Sequence, residues 1–429
     1  MNYDSIVVGA GLAGLTAALR LAESEQRVLL IAKGVGATHL APATIDVLGY
    51  ADDSRVENPQ ASLPRFVESH PEHPYARVSP ELIAESLDWL SHHATGLGYA
   101  GGLDQNWLLP TAIGVPKPTA LAPETMVGGD LRRGGKFVFV GLRGLKDFNA
   151  AYVSNNLEHA NLPATVSTRA LELEPPVGRD VVDVGTLGFA RRFEEAGFRD
   201  WIVEALMHQL QPDERVGFPA VLGLENTGTI WRELERRLEH RVFEVPLLPP
   251  SAQGIRLYEA LTRTLRSAGG RILIGDRVVG GETENGRVAA VVAQTASRPV
   301  AYQANSVVLA SGGFASVGLE MDSHGVVRET VFGLPPTGVP EPGQPKFSPD
   351  YFDAQPLARA GLAVDELLRP VGKDGRVVYE NLHVAGAIIG GAIPWREQSG
   401  NGISVATGYA AASAILKKTA TMPRTRVGG

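Results

Sequence analysis

The sequence contains no cysteine in 429 residues. Disulfides, thiolate nucleophiles, Cys-ligated zinc and Cys-ligated iron–sulfur clusters are therefore excluded within this chain. It also has no excess of positive charge: Lys and Arg number 40 against 47 Asp and Glu, a formal net charge of −7. Nucleic acid is not expected as a partner, because phosphate contacts need a basic surface. No long apolar run is present. The stretch from Ile6 to Leu19 carries three glycines and stops at Arg20, too short and too glycine-rich to span a bilayer. Met1-Asn2-Tyr3-Asp4 lacks a basic leader, so the expected location is the cytoplasm. No His or carboxylate pair has metal-ligand spacing, and no metal is expected.

What is abundant is glycine, 49 residues, about 11% against an average of about 7%. The most informative glycines come first. Ser5-Ile6-Val7-Val8 reads as a strand, Gly9-Ala10-Gly11-Leu12-Ala13-Gly14 follows, and Leu15, Ala18, Leu19 and Leu21 recur at helical spacing. Val28-Leu29-Leu30-Ile31-Ala32 then closes a βαβ unit. This is a dinucleotide-binding fingerprint in its required context. Gly9 permits the turn, Gly11 lets the backbone approach a phosphate, Gly14 lets the helix pack on the sheet, and the helix start at Leu12 and Ala13 faces the anion. The acid that usually ends the second strand and holds the adenosine ribose is replaced near Lys33-Gly34. Three readings fit Lys33: a partner for a 2′-phosphate, a site without an adenosine ribose, or a solvated strand-end lysine.

Two later segments repeat the theme. Ala304 to Phe314 reads as a buried strand running into the turn Ser311-Gly312-Gly313. Asn381 to Ala385 leads into Gly386 and Gly390-Gly391, then Ser399-Gly400-Asn401-Gly402-Ile403 and a helix of small residues. These segments resemble two motifs of the flavoproteins with two dinucleotide-binding domains. That resemblance implies that Ser311, Gly312, Gly386, Gly391, Asn401, Gly402 and Ile403 approach the flavin and that the strand with Val278 passes the adenine. The fold expected is α/β: a three-layer Rossmann-like FAD/NAD(P)-binding domain with a large inserted α+β domain. The flavin domain is expected from residues 1–50, 251–316 and 365–418, the insertion from 51–250, a proline-rich cap from 317–364 and a disordered tail from 419–429. A second GxGxxG unit, which a nicotinamide-dependent reductase would need, is absent from mid-chain.

The segment Leu247-Leu248-Pro249-Pro250-Ser251-Ala252-Gln253-Gly254-Ile255-Arg256-Leu257 resembles the family of B-type subunits of anaerobic glycerol-3-phosphate dehydrogenases. Gly141-Leu142-Arg143-Gly144-Leu145-Lys146-Asp147-Phe148, Tyr351-Phe352-Asp353-Ala354-Gln355-Pro356 and Leu368-Arg369-Pro370 extend the resemblance, in order, to about residue 415. It implies oxidation of sn-glycerol 3-phosphate to dihydroxyacetone phosphate, with electrons passed to a quinone in anaerobic respiration. It implies two partners, an FAD-bearing catalytic A-type subunit with an iron–sulfur C-type subunit, and a membrane reached only through them. It implies FMN, with FAD as the close alternative. The sequence departs from the family at Thr38-His39-Leu40-Ala41-Pro42-Ala43-Thr44-Ile45-Asp46, where the hydroxyl-rich middle is missing, and at Ser399 to Gly402, which carries no cysteine. Thr38 remains a candidate cofactor contact.

Oxidising a secondary alcohol needs a base for the hydroxyl proton and cations for the substrate phosphate. His39 is the candidate base, Asp46 its candidate orienting partner and Arg256 the candidate phosphate cation, with Arg369 second. Two other functions fit the same residues: a self-sufficient flavin oxidase of a small hydroxy or amino compound, and a degenerate flavoprotein scaffold.

Overall fold

A computed structural model describes residues 2–176 and 184–421, the side chains of 420 and 421 excepted. The chain divides into two compact units, one of Met1–Ala37, Ser62–Leu90 and Leu261–Gly429, the other of Thr38–Ala61 and Ser91–Ala260.

The first unit is built on a seven-stranded sheet. Its elements are β1 (Asn2–Val8), α1 (Leu12–Ala22), β2 (Val28–Ala32), β3 (Arg271–Ile274), β4 (Arg277–Glu284), β5 (Arg287–Gln294), β6 (Pro299–Leu309), β7 (Leu382–Val384) and α2 (Gly400–Thr421). The order is β3-β2-β1-β6-β5-β4, and β7 also pairs with β6. The long β6 serves two neighbours on one edge. Its first half pairs antiparallel with β5 (Ala290 opposite Gln303), and its end pairs parallel with β7 (Leu309 opposite Val384). On its other edge Val8 lies opposite Leu309, while β1 pairs Val8 with Ile31 of β2. Central parallel strands are covered on both faces, which is why Ile6–Val8, Leu29–Ile31 and Val307–Leu309 are continuous apolar runs and all buried. The expected α/β flavoprotein fold is the observed one, with the hairpin β4–β5 continuing the main sheet through β6.

The unit boundaries differ from those read in sequence. Residues 62–90 belong with the sheet because the buried His73 Nε2 meets Glu397 Oε2 at 3.2 Å. Ser399 Oγ donates to the same carboxylate oxygen at 2.8 Å. A Cβ on Gly391 would overlap the Glu72 carbonyl, so this glycine serves that closure. Residues 38–50 and 251–260 fall in the second unit and 317–364 in the first. Most of the expected tail, 422–429, lies outside the described residues, and α2 continues to Thr421.

The second unit holds a parallel four-stranded sheet ordered Val166–Leu173, Gly135–Leu142, Glu214–Pro219, Val242–Val245. Phe137, Phe139, Phe189, Phe193, Phe218 and Phe243 fill its core.

One buried titratable group reports on the first sheet. His383 in β7 donates from Nδ1 to the Leu367 carbonyl at 2.7 Å. Burial pushes its pKa down from 6.5 to about 4. The unfolded chain therefore protonates this ring near pH 6.5 while the folded chain resists until about 4. Its contribution to stability is full above that window and is lost as pH falls through it, at up to about 1.4 kcal/mol per pH unit. Urea melts between pH 7 and 4 should show this slope, and His383→Gln should flatten it.

Candidate functional site

The parallel strands of the first unit end at one edge of the sheet, where the order reverses between β1 and β6. Open α/β sheets bind ligands at that position. Gly9 N donates to Ile31 O at 2.8 Å, Ala310 N to Val8 O at 2.8 Å and Ala385 N to Leu309 O at 2.9 Å, so each strand hands its neighbour a fixed turn. Gly9 has φ +111, and a Cβ there would overlap the Ala310 carbonyl. A Cβ on Gly14 would overlap the Gly9 carbonyl, and one on Gly408 of α2 the Ala13 carbonyl. A Cβ on Gly386 would meet that of Ala13 at 2.8 Å.

Gly11 is different. It is the N-cap of α1, no side chain caps this helix, and a Cβ on it would meet nothing within 4 Å. A phosphate at this uncapped start would meet the first-turn amides and the positive end of the helix dipole. Ser311 Oγ is buried without a partner. An uncapped helix start, an open Gly11 and an orphaned hydroxyl fit a nucleotide cofactor. Ala13, Gly312, Gly386 and Ile403 lie in the same unit, with Leu12 and Ile403 buried at the starts of α1 and α2. Asn401 and Gly402 occupy the first turn of α2, after Gly400. Lys33 and Gly34 are exposed past β2. Val278 is buried in β4.

The second unit holds the other candidates. The His39 ring stands edge-on to Tyr258 at 4.6 Å, and its Nε2 is buried without a partner. Burial lowers its pKa, partly offset by Glu259. Asp46 does not orient it: Asp46 Oδ2 pairs with Lys117 Nζ at 2.7 Å, and Lys117 also donates to Thr44 Oγ1 at 2.7 Å. The expected His39–Asp46 pair is corrected accordingly. A lysine ammonium outcompetes an imidazole for a carboxylate because its charge is permanent near neutral pH.

Arg256 is not a free phosphate cation either. Its Nε and Nη2 donate to Gly223 O at 2.9 and 2.6 Å. Its Nη1 and Nη2 reach the two oxygens of Glu244 at 2.7 and 3.0 Å. Glu244 also accepts from Thr125 Oγ1 and Leu222 N. A buried guanidinium needs such a partner. Arg369 is likewise paired, with Asp365 at 2.8 Å and with Glu380.

Sequence reasoning missed Lys117, Glu244 and Gln253. The first two carry no local signal, since their partners are distant in the chain. Gln253 stood inside the segment singled out above, a primary amide between Ala252 and Gly254 at the start of a helix.

A family model described as an FAD binding domain matches residues 4–403. The chain belongs to this family. It has an FAD-binding oxidoreductase fold, with a flavin as its cofactor. It is 32% identical to a probable B-type subunit of anaerobic glycerol-3-phosphate dehydrogenase from Halobacterium salinarum, over 97% of this chain and 98% of that protein. It is 31% identical to the B-type subunit of the same dehydrogenase from Vibrio cholerae (97% of each). The corresponding protein of Aliivibrio fischeri is 28% identical, over 97% of this chain and 96% of that one. The chain is homologous to these proteins over nearly its whole length.

Two outcomes follow from the site. Gly11→Val fills the space before α1, so flavin content of the purified chain should fall about tenfold or more, equivalent to about 1.4 kcal/mol. The melting temperature of the flavin-free chain should hold. Arg256→Met leaves the Glu244 carboxylate buried and unpaired, and urea melts should show a loss of about 3–5 kcal/mol.

Proposed function

We propose that this chain is the flavin-bearing B-type subunit of a glycerol-3-phosphate:quinone oxidoreductase. The complex oxidises sn-glycerol 3-phosphate to dihydroxyacetone phosphate, and the electrons pass through partner proteins to a quinone. The observation that carries this reading is end-to-end homology: proteins named as this component of anaerobic glycerol-3-phosphate dehydrogenase align over almost all of both chains. The partners in this reading are the FAD-bearing A-type and the iron–sulfur C-type subunits. A chain without cysteine has no Cys-ligated cluster of its own, so electrons leave its flavin directly, and in this reading they pass to a partner's redox centre. Among the described residues no helix is long and apolar enough to cross a membrane, and contact with the membrane is assigned to the partners. In this proposal the chain works in the cytoplasm.

FAD is the cofactor favoured, because the matching family model is of FAD binding and the phosphate-facing turn Gly9–Gly14 is complete. FMN, the expectation from resemblance, is the competing outcome. A bound flavin supplies a hydride acceptor. In the first unit the uncapped start of α1 would hold a phosphate of the flavin; in the second unit His39 Nε2, whose pKa burial lowers, is the candidate base for a hydroxyl proton.

The test is to release and separate the flavin from the purified chain, then follow anaerobic bleaching by sn-glycerol 3-phosphate with and without the two partner proteins. Bleaching that requires the assembled complex supports the proposal. A chain that is bleached by an unrelated hydroxy or amino compound and consumes oxygen alone sinks it. Within the active complex, His39→Asn should slow flavin reduction by about 10²–10⁴. The rate in the parent should rise with pH through a midpoint below the usual histidine value of 6.5, since only the neutral ring accepts the proton.

A further inference from the structure

Gln253 is 1% exposed, and neither its Oε1 nor its Nε2 has a partner among the described residues. Flipping the amide does not repair this, because both ends are bare. Thr38 is 4% exposed with a bare Oγ1, and His39 has a bare Nε2. The backbone brings these residues together within the second unit. Ser251 N donates to His39 O at 2.9 Å. A Cβ on Gly254 would overlap the Thr38 carbonyl. The first turn of the helix Ala252–Ser267 therefore rests on residues 38–41.

Native interiors pair their buried polar groups, and leaving several bare on adjacent backbone is costly. The chemistry of the bare groups defines what would pair them. All three are neutral here. Arg256, the cation near the start of that helix, and Lys117, joined to Asp46 and Thr44, are already paired with Glu244 and Asp46. An anion would find donors only at some of these atoms. A hydroxyl both donates and accepts, so hydroxyls suit an amide oxygen, an amide N–H, a threonine hydroxyl and an imidazole nitrogen alike.

We propose that this site in the second unit binds the adjacent hydroxyls of a small polyol and that Gln253 sets the specificity for them. The inference rests on the functional reading above, in which the polyol is the glycerol segment of glycerol 3-phosphate. A flavin ribityl chain is the other source of the same chemistry, and the test separates the two.

The experiment compares the full chain with Gln253→Leu, which keeps the volume and removes the amide. Calorimetry measures affinity for sn-glycerol 3-phosphate and for 1-propyl phosphate, which lacks both hydroxyls. The parent should favour the triol-derived ligand at least tenfold, and the variant should bind the two alike. Flavin content should not change, and the ligand-free variant should melt at or above the parent temperature, because a bare amide has been removed. Equal discrimination by parent and variant overturns the proposal. So does a lower melting temperature with unchanged affinities, the mark of an amide held by structural water. Loss of flavin with intact discrimination overturns the substrate assignment in favour of the ribityl source. Failure of the complex to be bleached by glycerol 3-phosphate while calorimetric discrimination persists would reject the functional reading and leave the polyol site standing.

Discussion

The contact on which the rest of the first unit depends is the one between Gly9 and the Ala310 carbonyl. There is no room for a side chain between the turn after β1 and the end of β6. That closeness lets two parallel strands finish at the same level and brings α1 to start against them. Gly14 repeats the device against the Gly9 carbonyl, and Gly408 against Ala13, so α1 and α2 both approach the turn to backbone distance. A methyl group at any of these places would push the helix start away from the strand ends. Gly11 differs from these. A Cβ on it would meet nothing within 4 Å, while Gly36 packs against its backbone.

Polar groups in the second unit sort into two kinds, and the difference bears on function. The Arg256–Glu244 pair is closed: the guanidinium meets a carboxylate and a carbonyl, and the carboxylate takes further bonds from Thr125 and Leu222. Such a network holds a fold together and has little capacity left for a substrate. Gln253, Thr38 and His39 are open: each is buried at an atom that no described residue satisfies. Stability is expected to favour the first kind, and binding sites tolerate the second because a ligand supplies what is missing.

The sheet was largely legible because its strands are read locally. Val28–Ala32 and Val307–Leu309 are apolar without interruption, as strands covered on both faces must be, and glycine follows β1 and β6 closely, where the turns demand it. The roles that spacing alone assigned and the geometry carries are those of the backbone: the turn at Gly9 and the close packing at Gly14. Side-chain roles could not be read that way: Asp46 looked like a partner for His39 and Arg256 like a phosphate cation, because nothing near them in the chain shows Lys117 or Glu244.

The sequence by itself determined the class of fold, the glycine turn after the first strand and the exclusion of cysteine chemistry, since each depends on residue type or on neighbours a few positions apart. Tertiary structure decided which polar groups are paired and which stay bare. It also decided that residues 62–90 close onto the sheet through His73 and Glu397 rather than joining the insertion. The physical reason is range. Backbone turns and strand periodicity are set over a few residues, whereas the pairing of a buried charge is settled by whichever distant side chain folding brings within about 3 Å of it.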